Sequence, residues 1–241
     1  MVYLGRNGKP GRQPAVRVAV PADYRDPSPF VFQQDDVVAI LGNGLPDHMQ
    51  HHGWFETALQ SQLAGKKVSF RNMSSSGDQV DKRPRNKGFT PHEDYLRQIK
   101  PDVIFAFYGY NESFDGVERA SSYQERLVKL VAQLRAIQPN GTSFPRIVLF
   151  SPSAFQNLKD PNLPDGIEHN VCLAAYSNAT RLAAAQAGVG FVDLYAPTFQ
   201  IFESSKEALT INGVHLNEEG NRQLAEVIAS SLTGKKVVAN E

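Results

Sequence analysis

The chain is poor in cysteine, and its single one, Cys172, excludes an internal disulfide as a source of stability. Cys172 sits in an apolar-periodic stretch with Val171, Leu173 and Ala174, which predicts a buried helix face. An excess of charge is missing too, since Lys and Arg total 25 and Asp and Glu total 25. No global field steers such a chain to nucleic acid or to an anionic membrane, so a small neutral or mildly charged ligand is the expected partner. No apolar run approaches the roughly 18 residues needed to span a bilayer. The N-terminus lacks the charged, apolar and small-residue regions of a signal peptide, so a soluble chain is expected, with its compartment left open.

What is present suffices for one substantial core: 241 residues, 41% of them hydrophobic. The expected division is an N-terminal arm or linker over residues 1–35 and one domain over 36–241. The arm is rich in Gly, Pro and Arg and carries one alternating run, Val16 to Val20, which fits an irregular or strand-bearing segment better than a helix. It reads either as an edge strand covering a sheet or as a linker from a longer protein, whose other domains are then candidate partners.

From Asp36 onward, short apolar runs alternate with longer amphipathic ones, the pattern of parallel strands joined by crossover helices. The runs 37–41, 68–72, 103–107, 147–150 and 191–194 predict strands that are apolar on both faces, as a sheet covered on both sides requires. Helical spacing predicts helices over 46–63, 123–137, 168–187 and 218–232, the last with Asn217 as N-cap and Gly220 at its third position. The expected fold is a three-layer α/β/α domain with a five-stranded parallel sheet, of flavodoxin-like type.

In such a sheet the ligand crevice lies beyond the carboxyl ends of the strands. The loops there hold Gly42-Asn43-Gly44-Leu45, then Asn72 to Asp78 with Ser74, Ser75, Ser76 and Gly77, then Tyr108 to Glu112, and finally Asn212-Gly213-Val214-His215 before the last helix. In order and spacing these segments resemble the blocks of the SGNH (GDSL-like) hydrolases: Gly-Asp-Ser-Leu, a glycine turn, Gly-x-Asn-Asp and Asp-x-x-His. The resemblance covers about residues 36 to 232. It implies that Gly77 and Asn111 donate to an oxyanion, and that His215 is the general base.

The departures bear on mechanism. Asn43 and Gly44 stand where the family has Asp-Ser, and Asn212 stands where it has the aspartate that orients the histidine. Two readings follow: a divergent hydrolase of an acyl ester or carbohydrate derivative using water or a neighbouring serine, or a binding module that keeps the crevice without turnover. Ser76, Asp78, Tyr110 and Glu112 are expected beside the substrate, the two carboxylates as candidates to activate a water with His215. The cluster His48, His51 and His52 shares a helix face, but no carboxylate or cysteine pattern completes a metal site, so neither metal nor other cofactor is expected. His48, four positions after Gly44, is expected near the crevice. The long polar loop from Asn157 to Glu168 is expected to border it, and Arg83, Arg85 and Lys87 form a local basic patch.

Overall fold

The structure, a computed structural model, describes residues 23–26, 30–63, 65–84 and 88–235. The run at residues 16–20, and Arg85 and Lys87, lie outside them. Five strands, β1 (Val37–Gly42), β2 (Ser69–Asn72), β3 (Val103–Phe107), β4 (Arg146–Phe150) and β5 (Gly190–Val192), form one parallel sheet in the order β2-β1-β3-β4-β5. Among the described residues seven α-helices accompany them: α1 (Gly44–Met49), α2 (Trp54–Gln62), α3 (His92–Ile99), α4 (Ala120–Ile137), α5 (Ile167–Ala187), α6 (Tyr195–Ser204) and α7 (Glu218–Thr233).

The two-residue period of the strands sorts their side chains into two cores. Val38, Ile40, Phe105, Phe107, Val148 and Phe150 meet α2 and α7 on one face. Ala39, Leu41, Ile104, Ala106, Ile147 and Leu149 meet α4 and α5 on the other. This is the three-layer arrangement expected from sequence, and each fully buried Leu, Ile or Phe stabilises it by about 1.5–3 kcal/mol. β2 departs from expectation in lying at the sheet edge: Phe70 is buried while Arg71 faces solvent.

The stretch predicted as one helix over 46–63 is two. His51 and His52 donate backbone hydrogen bonds only three residues back, to His48 and Met49, and Gly53 takes φ 69°, a left-handed value that breaks the helical path. Two helices escape the periodicity. In α3 only Leu96 is fully inward, too little to register as a pattern. α6 contains Pro197 at its third position, where the missing N–H costs nothing because the carbonyl four residues back lies outside the helix. Cys172 is half-buried rather than buried, because α5 turns Leu173 and Tyr176 inward instead.

Residues ahead of β1 pack on the domain. Phe32 belongs to the α2/α7 core. Asp26 accepts the Ile147 N–H at 2.8 Å and pairs with the buried Arg135 at 2.8 Å, and Asp36 pairs with Arg146. Among the described residues no helix is long and apolar enough to cross a membrane.

Candidate active site

The sheet order reverses at β1, whose two neighbours β2 and β3 are entered by connections running in opposite directions, and this opens a crevice beyond the strand ends. The crevice encloses about 160 Å³ and is lined by Asn43, Gly44, His48, Gly77, Asn111 and His215 together with parts of the loop after β4. That volume takes a group of roughly benzene size.

The first wall follows β1. Gly42 sits at φ 152°, and a Cβ there would collide with the Phe107 carbonyl, so only glycine lets β1 lie this close to the end of β3. Asn43 is buried, donates its N–H to Phe107 O at 3.3 Å and caps α1 by accepting the Leu45 N–H at 3.4 Å. Gly44 opens α1, so its own N–H has no acceptor within the helix. A Cβ on Gly44 would meet nothing nearer than Ser76 Oγ at 3.6 Å. One turn on, His48 brings its ring to 4.8 Å from that of His215, centroid to centroid, with the planes 33° apart.

The loop after β2 is tied to α1 through one carboxylate: both the N–H and the hydroxyl of Ser76 donate to Asp47 Oδ2, at 2.8 and 2.7 Å. Of the three consecutive serines only Ser76 lines the crevice; Ser75 is buried and the Ser74 hydroxyl donates to Asn72. Gly77 has φ 88° and lines the crevice, and among the described residues its N–H meets no acceptor.

The loop after β3 supplies Asn111, whose Nδ2 donates to the Asp78 carbonyl at 2.9 Å and whose second amide hydrogen remains for the crevice. Asp78 and Glu112 were expected at the crevice as water activators, and the structure places both behind its wall, buried. Glu112 accepts the Val80 N–H at 2.8 Å and the Gly109 N–H at 2.9 Å, so it fastens the two loops together. Burial raises its pKa against these hydrogen bonds, which pull it down. Tyr110 does line the crevice, and burial pushes its phenol far up, keeping it a neutral hydrogen-bonding group.

The fourth wall is the turn before α7. Asn212 Oδ1 accepts the N–H groups of His215 at 2.9 Å and Val214 at 3.2 Å, and the side chains of Asn212 and His215 face each other. Below, Asn217 caps α7 by accepting the Gly220 N–H at 2.9 Å, and any side chain at Gly220 would strike the Leu209 carbonyl. His215 has its pKa lowered by burial first and by His48 second.

A family model for GDSL-like lipases and acylhydrolases matches residues 42–223, a span that begins at the end of β1 and runs into α7. The chain belongs to the GDSL-like lipase/acylhydrolase family. Solved structures share its fold. A catalytic mutant of the acetylxylan esterase Axe2 from Geobacillus stearothermophilus superposes with a TM-score of 0.65 at 17% identity, covering 87% of this chain and 99% of that one. LAE5, an α/β hydrolase enzyme from the metagenome of Lake Arreo, Spain, gives 0.63 at 16% identity, covering 83% and 96%. Comparison with the curated proteins finds no match.

In this GDSL-like domain several groups at the site carry no sequence signal of their own. Gln156 is buried, and its Oε1 accepts the N–H groups of Leu209 and Thr210 at 2.9 Å each and the Thr210 hydroxyl at 3.0 Å, holding the turn that carries His215. Asn221, on α7, ties its own helix start by donating to Leu216 O at 3.1 Å and Asn217 O at 2.9 Å while lining the crevice. Ser151 and Ser153 line it as well, from the loop after β4. The segment from Asn157 to Glu168, expected at the crevice, lies away from it; it is the preceding stretch, 151–153, that turns in. Arg83 donates to Val80 O at 3.0 Å and the Tyr108 hydroxyl at 3.2 Å, so it ties its own loop to the end of β3. His51 and His52 are exposed, and among the described residues no three His, Cys, Asp or Glu side chains are placed to hold a metal.

Proposed function

We propose that this chain hydrolyses a short acyl ester carried on a carbohydrate or a similarly polar alcohol. One observation carries the reading: three separate loops bring Gly77, Asn111 and His215 to one crevice of acyl-group size, beside the N–H of Gly44, which opens α1 and among the described residues meets no acceptor. N–H donors from Gly44, Gly77 and Asn111 would face the oxygen on which negative charge develops during acyl transfer, and His215 would stand beside the proton in flight. The carbohydrate half of the proposal leans on the Geobacillus stearothermophilus neighbour, named an acetylxylan esterase.

Gly44 offers no hydroxyl, so the attacking oxygen in this reading belongs to water or to Ser76. Gly44 and Asn212 also favour a second reading, in which the crevice holds a carbonyl, carboxylate or sugar group without turning it over. Purified protein is to be tested on p-nitrophenyl acetate and on acetylated xylo-oligosaccharides beside His215→Ala. Turnover above buffer that drops at least tenfold in His215→Ala supports hydrolysis. Rates equal to buffer in both, with ligand binding retained by calorimetry, would sink hydrolysis and leave the binding reading.

A further inference from the structure

The hydrogen bonds around Asn212 decide where the proton on His215 sits. Oδ1 of Asn212 accepts two backbone N–H groups, from His215 and Val214. Turning the amide over would aim its hydrogens at those same donors, so satisfied hydrogen bonding selects one orientation. In that orientation Nδ2 stands 3.0 Å from His215 Nδ1. An amide nitrogen only donates, so Nδ1 accepts. Oδ1 is also near Nδ1, at 3.2 Å, but its two lone pairs already serve the backbone. A neutral imidazole carries one proton, which is therefore on Nε2. A carboxylate at 212 would impose the reverse, taking Nδ1–H and leaving Nε2 bare as a base.

His48 is the other imidazole in the crevice. Among the described residues neither of its ring nitrogens makes a hydrogen bond; rings near it are those of His51, at 6.1 Å, and His215, at 4.8 Å. It stands one helical turn from Gly44, whose missing side chain leaves room beside it out to Ser76 Oγ.

We infer that the two histidines exchange roles: His215 donates Nε2–H to the substrate carbonyl oxygen, and His48 is the base for a water that attacks from the space beside Gly44. The catalytic half of this inference rests on the hydrolase reading; the tautomer half does not. As the water oxygen bonds to the carbonyl carbon, His48 takes one of its protons, and the oxyanion is held by His215 Nε2–H, Gly77 N–H and the Asn111 amide. Collapse breaks the bond to the alcohol oxygen, and His48 returns the proton there. Ester and water thus give acid and alcohol, with both histidines restored. A neutral imidazole is an effective electrophilic donor because it loses no proton in the step, and the burial of His215 keeps it neutral.

Two measurements test this. Long-range ¹⁵N–¹H correlation spectra of the intact protein at neutral pH are expected to show His215 protonated at Nε2, and to show Nδ1–H in Asn212→Asp; Nδ1–H in the unsubstituted protein would overturn the tautomer assignment, whether or not any ester is turned over. On p-nitrophenyl acetate, His48→Gln is expected to lower kcat at least 100-fold with KM within threefold, and the unsubstituted protein is expected to take no fluorophosphonate label at Ser76. A loss of activity in Ser76→Ala, with fluorophosphonate labelling at Ser76, would overturn His48 as the base toward water and make Ser76 the nucleophile. No turnover in the unsubstituted protein would remove the hydrolase reading and the role of His48 with it, and the spectra alone would then decide the proton on His215.

Discussion

Asn212 faces His215 across a three-residue turn, with Nδ2 3.0 Å from Nδ1 and Oδ1 engaged by the backbone of the same turn. A single side chain thus both shapes the turn and dictates which imidazole nitrogen carries the proton. Exchanging its NH₂ for O⁻ changes the hydrogen-bond polarity without changing the shape.

The protonation of His215 gives the first prediction. Burial and the neighbouring His48 both disfavour the charged ring, so its NMR titration midpoint is expected below 6.5. In His48→Gln the midpoint rises because the like-charge contribution is gone. In Asn212→Asp it rises further, since a carboxylate favours the imidazolium. A midpoint unmoved in both variants would mean that neither residue senses the ring.

Two glycines at the junction of β1 and α1 should respond oppositely to substitution. Gly44→Ser places its Cβ in ordinary contact with Ser76 Oγ at 3.6 Å, and its stability by urea denaturation is expected within about 0.5 kcal/mol of the parent. Gly42→Ala drives a Cβ into the Phe107 carbonyl and is expected to cost at least about 2 kcal/mol. With position 44 open to a side chain, the triple variant Gly44→Ser, Asn43→Asp, Asn212→Asp is expected to fold and to gain labelling by a fluorophosphonate; a folded triple variant that stays unlabelled would count against the crevice as an acyl-transfer site.

Gln156 is expected to matter far more than its sequence context suggests. Gln156→Ala strands two backbone N–H groups and a hydroxyl in a buried place, at a cost of at least about 2 kcal/mol. Because those donors belong to the turn bearing His215, esterase turnover should fall alongside the urea midpoint. A stable variant with full turnover would show that the turn holds itself.

Acid sensitivity should trace in part to His92, whose pKa burial first and Arg83 second lower to about 3 from 6.5. The unfolded chain then binds a proton that the folded one refuses. His92 accordingly has no effect on stability above about 6.5, and stability drains away as pH falls from there toward about 3. Urea midpoints measured across that window are expected to fall less steeply in His92→Gln, and parallel curves would remove His92 from the account.

The strands were legible because each is a short run of β-branched and aromatic residues with turn residues after it, and the parallel order followed from helices between them. α3 and the break between α1 and α2 were not, because one inward leucine makes no period and the break depends on the left-handed backbone of Gly53. Of the site, Gly44, Gly77, Asn111 and His215 were read from the loops expected to meet, and all four line one crevice. Asp78 and Glu112 misled for a physical reason: a carboxylate beside a crevice and one buried behind its wall, where Glu112 accepts two backbone N–H groups, look identical in one dimension.

The amino-acid sequence by itself determined the layer architecture, the family and the four loops that meet, since these depend on hydrophobic period and on residues whose backbone freedom or side-chain chemistry is intrinsic. Only the tertiary structure decided that His48 stands against His215, that Ser76 alone of three serines reaches the crevice, and that Gln156 holds the histidine turn. Those facts rest on contacts between chain segments tens of residues apart, whose hydrogen-bond partners are chosen by packing rather than by neighbours in sequence.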